Sequence, residues 1–116
     1  MKNEKVYKMY FADIYPLYVN KIQRNGCNIN QLHEIIFWLT GYNEAQLQQI
    51  ITNKTTLESF FIEAPLINPN AHKIKGIICG YKVEEITDPM MQKIRYLDKL
   101  VDELAKGKTL DKIFRK

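Results

Sequence analysis

The sequence predicts an all-α fold, a small single-domain orthogonal bundle of about five or six helices that spans residues 1–116. Signals for helix starts and stops recur at short intervals along the chain. Between them, apolar residues recur at spacings of three and four, as on the buried face of a helix. The length of 116 residues suits one domain. These three observations predict helices folded back on one another around a shared core.

The N-terminal part predicts one helix and leaves the segment before it open. From Val6 to Phe11, lysines alternate with apolar residues, which fits either an extended arm or an extra helical turn. Asp13 is the predicted N-cap of the first long helix, with Pro16 in its first turn and Gly26 at its end.

Two further helices are predicted around a glycine turn. Asn30 is the predicted cap of the first, which ends at Gly41. Asn43 and Gln46 match the capping-box pattern that opens the second. The apolar stripe of the first helix consists of Leu32, Ile35, Ile36 and Leu39. The pair resembles a helix-turn-helix in outline, but its net negative segment favours a plain helical hairpin.

Thr55 and Glu58 repeat the capping pattern and predict a short helix that ends before Pro65. The segment that follows allows two interpretations. Apolar residues at helical spacing favour a helix over 71–81, in which Gly76 and Gly80 would serve close helix packing. The alternative is an α+β fold with a small hairpin at 74–86, its strands at 74–79 and 82–86, because β-branched residues are frequent there.

The C-terminal part carries the clearest helical pattern. Asp88 caps a helix that has Pro89 at its first position and ends at Gly107. Thr109 then begins a last helical turn. A heptad-like seam runs along the long helix and could face either the core or a partner: Met90, Ile94, Leu97, Val101 and Leu104.

Charge and composition favour an ordinary intracellular domain. The net charge is +4, divided as +3 over residues 1–27, −3 over 28–70 and +4 over 71–116. The longest apolar run, Ile35 to Leu39, is too short to span a bilayer, and two distant cysteines suggest free thiols in the cytoplasm. No membrane partner is expected. The basic residues near the C-terminus form a candidate nucleic-acid patch: Lys106, Lys108, Lys112, Arg115 and Lys116.

No catalytic, cofactor or metal site is predicted. His33 and Glu34 resemble the start of a zinc-protease motif, but the position for the second histidine holds Phe37. Cys27, Cys79 and the two histidines lack the paired spacing of zinc sites. We expect His33 at the surface of a first helical turn and Cys79 in the core.

Aromatic residues supply a further candidate. Trp38 flanks the apolar stripe, and with Tyr42 it could form the rim of a small-molecule pocket. A site lined by tyrosine and tryptophan is therefore one alternative function.

Four blocks of sequence resemble a family of uncharacterised bacterial proteins, domain of unknown function 2200. They are "VYKMYFADIYPLYVNK", "IIFWLTGY", "FFIEAPLINPN" and "CGYKVEEITDPMMQKIRYLDKLVDELAKGK". The resemblance covers nearly the whole chain and implies a small, mainly helical bacterial domain. It favours helix over hairpin at 74–86, and it brings no activity, ligand or catalytic residue.

Three functions remain as hypotheses. The first is a protein-interaction module that binds an unknown protein partner or forms a homo-oligomer, because no catalytic constellation is present. The second is nucleic-acid binding through the basic tail, which the interleaved acids disfavour. The third is the aromatic pocket. An enzyme is less expected than a binding module.

Overall fold

Seven α-helices make up most of the chain in the computed structural model, which describes residues 2–116. In chain order they are α1 (Lys2–Tyr7), α2 (Phe11–Gln23), α3 (Ile29–Thr40), α4 (Glu44–Thr52), α5 (Leu57–Ile62), α6 (Pro89–Ala105) and α7 (Leu110–Ile113). A two-stranded antiparallel hairpin, β1 (Ile77–Ile78) and β2 (Tyr81–Lys82), lies between α5 and α6. The helical fold class is confirmed, and the N-terminal segment forms an extra helix.

The long helix α6 lies at the centre of the fold. It packs against α2, α3, α5, α7 and the hairpin strand β1. Asp88 caps it by accepting hydrogen bonds from the backbone of Met90 and Met91, and Pro89 occupies its first position as predicted. None of the helices in residues 2–116 combines the length and hydrophobicity that a bilayer-spanning segment requires.

Three predicted helix starts are shifted, by one to three residues. α2 begins at Phe11, because a bridge between Tyr10 and Thr56 holds Tyr10 extended, and Asp13 lies in the first turn instead of capping it. α3 is capped by Asn28, not Asn30, since Gln31 stands three residues after Asn28 and completes a capping box.

The cap of α5 is Thr56, not Thr55. The Thr56 hydroxyl accepts from the backbone of Ser59 at 3.1 Å. The backbone of Thr55 is engaged elsewhere, because its carbonyl accepts from Phe11 at 2.8 Å. The capping box of Asn43 and Gln46 that opens α4 is confirmed.

The predicted helix over 71–81 is wrong, and the hairpin alternative describes this segment better. A 3-10 turn at 71–73 precedes the hairpin, and a second at 83–85 follows it. Its strands are only two residues long, and they turn at Cys79 and Gly80, both of which have positive φ. Successive left-handed residues form the tight turn that suits the twist of a hairpin. Gly76, with φ of 117°, also leaves the helical range, so the two glycines serve the hairpin and not helix packing.

Gly41 ends α3 as predicted, and the surrounding packing explains why glycine is required there. Its φ is 77°, and a Cβ atom would lie 3.0 Å from the backbone nitrogen of Leu66. This close approach lets the loop after α5 donate its Leu66 N–H to the Thr40 carbonyl at 3.1 Å. The end of α3 and the loop after α5 are thus fixed together.

Candidate functional site

Trp38 and Tyr42 do not form a shared pocket. The Trp38 ring stacks on Phe114, with centroids 5.7 Å apart and planes 12° from parallel. The Tyr42 ring instead packs against Phe60, and its hydroxyl donates to the Phe60 carbonyl at 2.7 Å. Because the left-handed turn at Gly41 separates the two residues, they no longer share one helix face. Neither aromatic residue lines any of four well-formed surface clefts among the described residues.

The seam of α6 belongs to the core of the protein. Four of its residues are almost fully buried: Ile94, Leu97, Val101 and Leu104. Met90, at the start of the helix, is half-buried against the same core. The alternative in which this seam faces a partner is therefore wrong, since a partner could reach it only by opening the fold.

The basic patch is partly neutralised by two buried carboxylates of α6. Glu103 receives both terminal nitrogens of Arg115, at 2.7 and 2.8 Å, and Lys108 lies 3.6 Å away. Asp102 pairs with Lys106 at 3.0 Å. Lys112 is exposed on α7, and the carbonyl of Lys116 accepts from Lys73. The patch is therefore less positive than its sequence suggests.

An apolar groove opens between the first two helices and α6, and the sequence did not indicate it. Its volume is about 230 Å³. The apolar residues that line it are Val6, Met9, Ile14, Leu17, Leu57 and Ile94. Leu17 is 60% exposed and Met9 is 42% exposed, so both apolar side chains stand at its rim in contact with water. Groups of exposed apolar side chains around a concave surface are typical of binding sites.

A bonded polar network closes one side of this groove. Asp98 accepts a hydrogen bond from the Tyr18 hydroxyl and pairs with Arg95 at 2.8 Å. Burial raises the pKa of Tyr18 well above its ordinary value, and the neighbouring Asp98 charge raises it further. Burial also opposes the charge of Arg95, but the hydrogen bond to Asp98, the Asp98 charge and smaller contributions from Cys79 and Tyr18 together outweigh it and raise the Arg95 pKa. Tyr18 thus stays neutral and Arg95 stays charged.

Arg95 also borders a second cleft, of about 590 Å³, beneath the hairpin. We call it the hairpin cleft; its walls include Tyr81, Lys82, Glu85 and Asp88. The Tyr7 hydroxyl donates to Asp88, and this bond is the main cause of the lowered pKa of that carboxyl. Burial raises the pKa of Tyr7 to about 12, with Asp88 adding to the shift. The apolar groove and the hairpin cleft form one surface that Arg95 divides.

The predicted core position of Cys79 is wrong. It lies exposed at the hairpin tip, where its Sγ atom accepts from Arg95 at 3.5 Å. Cys79 cannot enter the core because the two-residue turn projects away from it. Cys27 is half-buried and donates to the Leu104 carbonyl at 3.4 Å. Both cysteines are free thiols.

His33 is buried, contrary to its predicted surface position. Its Nδ1 lies 2.8 Å from a Glu44 carboxylate oxygen, and its Nε2 lies 2.5 Å from the Tyr15 hydroxyl. Since a carboxylate only accepts, Nδ1 carries a proton and donates to Glu44, while Nε2 shares a hydrogen bond with the Tyr15 hydroxyl. Hydrogen bonds from Gln48 and then His33 lower the pKa of Glu44. The three residues join α2, α3 and α4, so we assign His33 a structural role.

Metal-ligating residues do not converge in the part of the chain that the structure describes. Nowhere in residues 2–116 do three or more histidine, cysteine, aspartate or glutamate side chains form a group that could hold an ion.

The sequence signal for the apolar groove was weak, because its residues come from four separate segments. Leu17 lies in the middle of α2 between Pro16 and Tyr18, so its own sequence context gave no hint of the groove.

Comparison with known proteins supports the fold and is silent on activity. A sequence model described as "Uncharacterized protein conserved in bacteria (DUF2200)" matches residues 5–115. The crystal structure of uncharacterized protein SP1917 is similar, with 43% sequence identity and a TM-score of 0.89. That similarity covers 95% of this chain and 90% of the other. No curated protein matches.

Proposed function

The chain belongs to the DUF2200 family of uncharacterised bacterial proteins, and we propose that it acts as a protein-interaction module. In this proposal the apolar groove binds a segment of another protein that carries an apolar side chain flanked by acidic residues. The observation that carries the proposal is the position of Leu17 and Met9, two exposed apolar side chains at the rim of a concave apolar surface.

The groove suits binding better than chemistry. The charged groups at its edge, Asp98 and Arg95, are already bonded to each other and to Tyr18. A bound apolar side chain would remove Leu17 and Met9 from water, and burial of apolar area is the main favourable term in association. Met9 adds adaptability, because its flexible thioether chain fills irregular gaps.

Positive charge around the groove favours an acidic partner. Lys8 adjoins Met9 on the chain, and Arg24, the residue directly after α2, lies two helical turns after Leu17. In the described residues, neither cation forms an ion pair with a carboxylate. Asp13 lies one turn before Leu17, so negative charge is found near the start of α2 and positive charge near its end. A partner segment with acids beyond its apolar anchor would complement the positive end.

A different protein fits this surface better than a second copy of the chain. In a symmetric dimer the same patch meets itself, so the cations Lys8 and Arg24 could meet Asp13 of the other copy but would still outnumber it. We also place the interaction in the cytoplasm, since two free cysteines suit a reducing compartment.

Selection of displayed random 12-residue peptides on the immobilised protein tests the proposal. We expect the enriched peptides to combine a large apolar residue with acidic ones. Leu17→Ser should weaken binding of the enriched peptides about tenfold or more, as expected when an anchor contact is lost. Leu66→Ser is the matched control, because Leu66 is 63% exposed and lies outside the groove.

Two results would contradict the proposal. One is that the enriched peptides bind wild type and Leu17→Ser equally well or that no peptide is enriched. The other is concentration-dependent dimerisation in analytical ultracentrifugation that Leu17→Ser abolishes, which would assign the groove to a second copy.

A further inference from the structure

A cleft with different chemistry lies at the C-terminal end of α6, away from the apolar groove. Its lining includes the carboxylate Glu103, the hydroxyl-bearing Thr109 and four lysines: Lys99, Lys106, Lys108 and Lys112. Its volume is about 470 Å³, which lies in the range of about 300–1,000 Å³ typical of small-ligand sites. We call it the lysine cleft.

The carboxylates near this cleft are shared among more cations than they can neutralise. Asp102 accepts from both Lys106 and Lys21, at 3.0 and 3.1 Å. Burial opposes its ionisation, but these hydrogen bonds outweigh the penalty and lower the pKa of Asp102. It therefore remains charged, and one carboxylate serves two lysines.

Glu103 is likewise engaged twice. Arg115 holds both of its oxygens, and Lys108 lies 3.6 Å from one of them. Lys99 donates to the Ile77 carbonyl at 3.4 Å, and neither it nor Lys112 pairs with a carboxylate within the described ranges. The lysine cleft thus keeps a net positive charge after its internal ion pairs are counted.

We propose that the lysine cleft binds a compact ligand that carries two or three adjacent phosphate groups. Ammonium groups bind phosphate as point charges, and several lysines around one concave surface match several phosphates on one molecule. The Thr109 hydroxyl can donate a further hydrogen bond. A bound phosphate ligand would also relieve the repulsion between Lys99 and Lys112, because neither lysine is paired with a carboxylate in the described residues.

The surroundings favour a compact ligand over a nucleic-acid strand. A strand needs basic residues along a continuous track beyond one cleft. Here Asp111 lies on α7, next to Lys112 in the sequence. Glu84 and Glu85 follow the hairpin, whose Ile77 carbonyl accepts from Lys99. These acids repel a backbone that continues past the cleft.

Isothermal titration calorimetry with inorganic tripolyphosphate tests the proposal. Wild type should bind at low salt and bind more weakly as ionic strength rises, since exposed charges are screened. Lys99→Gln/Lys112→Gln should weaken binding about tenfold or more, which corresponds to about 1.4 kcal/mol. This double variant breaks no ion pair with a carboxylate. Lys5→Gln/Lys8→Gln removes the same charge far from the cleft along the chain and should keep the affinity within about twofold.

Three outcomes would overturn the proposal. The first is that tripolyphosphate does not bind at low salt. The second is equal weakening in both double variants, which would indicate an effect of net charge alone. The third is that single-stranded oligonucleotides bind more tightly than tripolyphosphate and gain affinity with length, which would indicate a nucleic-acid track. None of these results depends on the apolar groove.

Discussion

The hydroxyl of Tyr42 is satisfied inside the protein by the Phe60 carbonyl, 2.7 Å away. Burial raises the pKa of this phenol to about 12, and the Glu63 charge adds to the effect. The ring itself is only 8% exposed. Tyr42 therefore couples the start of the α3–α4 turn to α5 through a group that must stay neutral.

Tyr42→Phe should lower the free energy of unfolding by about 1 kcal/mol near neutral pH, because the Phe60 carbonyl loses its buried donor. The difference from wild type should shrink as pH rises from the ordinary tyrosine pKa of 10.0 towards about 12. In that window the unfolded chain ionises first, so wild type loses stability that the phenylalanine variant never had. Urea unfolding over this pH range measures both; a difference that stays constant with pH would contradict the raised pKa.

The separation of Trp38 from Tyr42 could not be predicted at the residue scale. Four residues apart, they would share a face if the helix continued. α3 instead ends at Thr40, and the backbone turns at Gly41. The glycine was recognised as a terminator in the sequence, but the direction of the following residue depends on the loop after α5, which is distant in sequence.

The seam of α6 allows a prediction at the scale of an element. Leu97 is 1% exposed, so Leu97→Ala should lower the free energy of unfolding by about 2–5 kcal/mol through lost burial and a cavity. Met90→Ala, at the half-buried start of the same seam, should cost less. Denaturant unfolding compares the two. If Leu97→Ala lowered the free energy of unfolding only slightly and changed the oligomeric state, the seam would be an interface with a partner and not part of the core.

Helix starts were predictable to within three residues because caps act locally. Asn43 with Gln46 satisfies orphan N–H groups within one turn, and the sequence alone shows this pair. The start of α2 was missed because the bridge from Tyr10 reaches Thr56. A backbone contact over that sequence separation leaves no periodic signal.

The hairpin was harder to predict because its signals are short and conflicting. Apolar residues from Ala71 to Tyr81 fall at helical spacing, and strands of two residues show no alternation. The deciding feature is the backbone at Cys79 and Gly80, both with positive φ. Gly80 permits this conformation at no steric cost, whereas Cys79 adopts it against its preference.

At the scale of the whole molecule, α6 connects the two proposed sites. Its N-terminal half supplies Ile94 and Arg95 to the apolar groove, and its C-terminal half supplies Lys99 and Glu103 to the lysine cleft. Its buried face holds both ends in place through the core. The sequence showed these residues individually, but only the packing of α1, α2 and α7 around α6 shows which of them face a cleft.

The C-terminal segment closes over this scaffold, and the single tryptophan reports its position. Phe114 stacks on Trp38 of α3, while Arg115 holds Glu103 of α6. Asn70 also donates to the Arg115 carbonyl at 3.1 Å. Three separate contacts therefore fix the segment after α7 against α3, α6 and the loop before the hairpin.

Phe114→Ala should expose the half-buried Trp38 ring, shift its fluorescence emission to longer wavelength and lower the free energy of unfolding by about 1–2 kcal/mol, as for partial loss of an aromatic contact surface. Lys112→Ala is the control, because Lys112 is exposed on α7 and should leave the emission unchanged. Emission spectra without denaturant, followed by urea titration, give both quantities. If Phe114→Ala kept the wild-type emission, the segment after α7 would not be seated on α3, and Arg115 would have to hold Glu103 without that support.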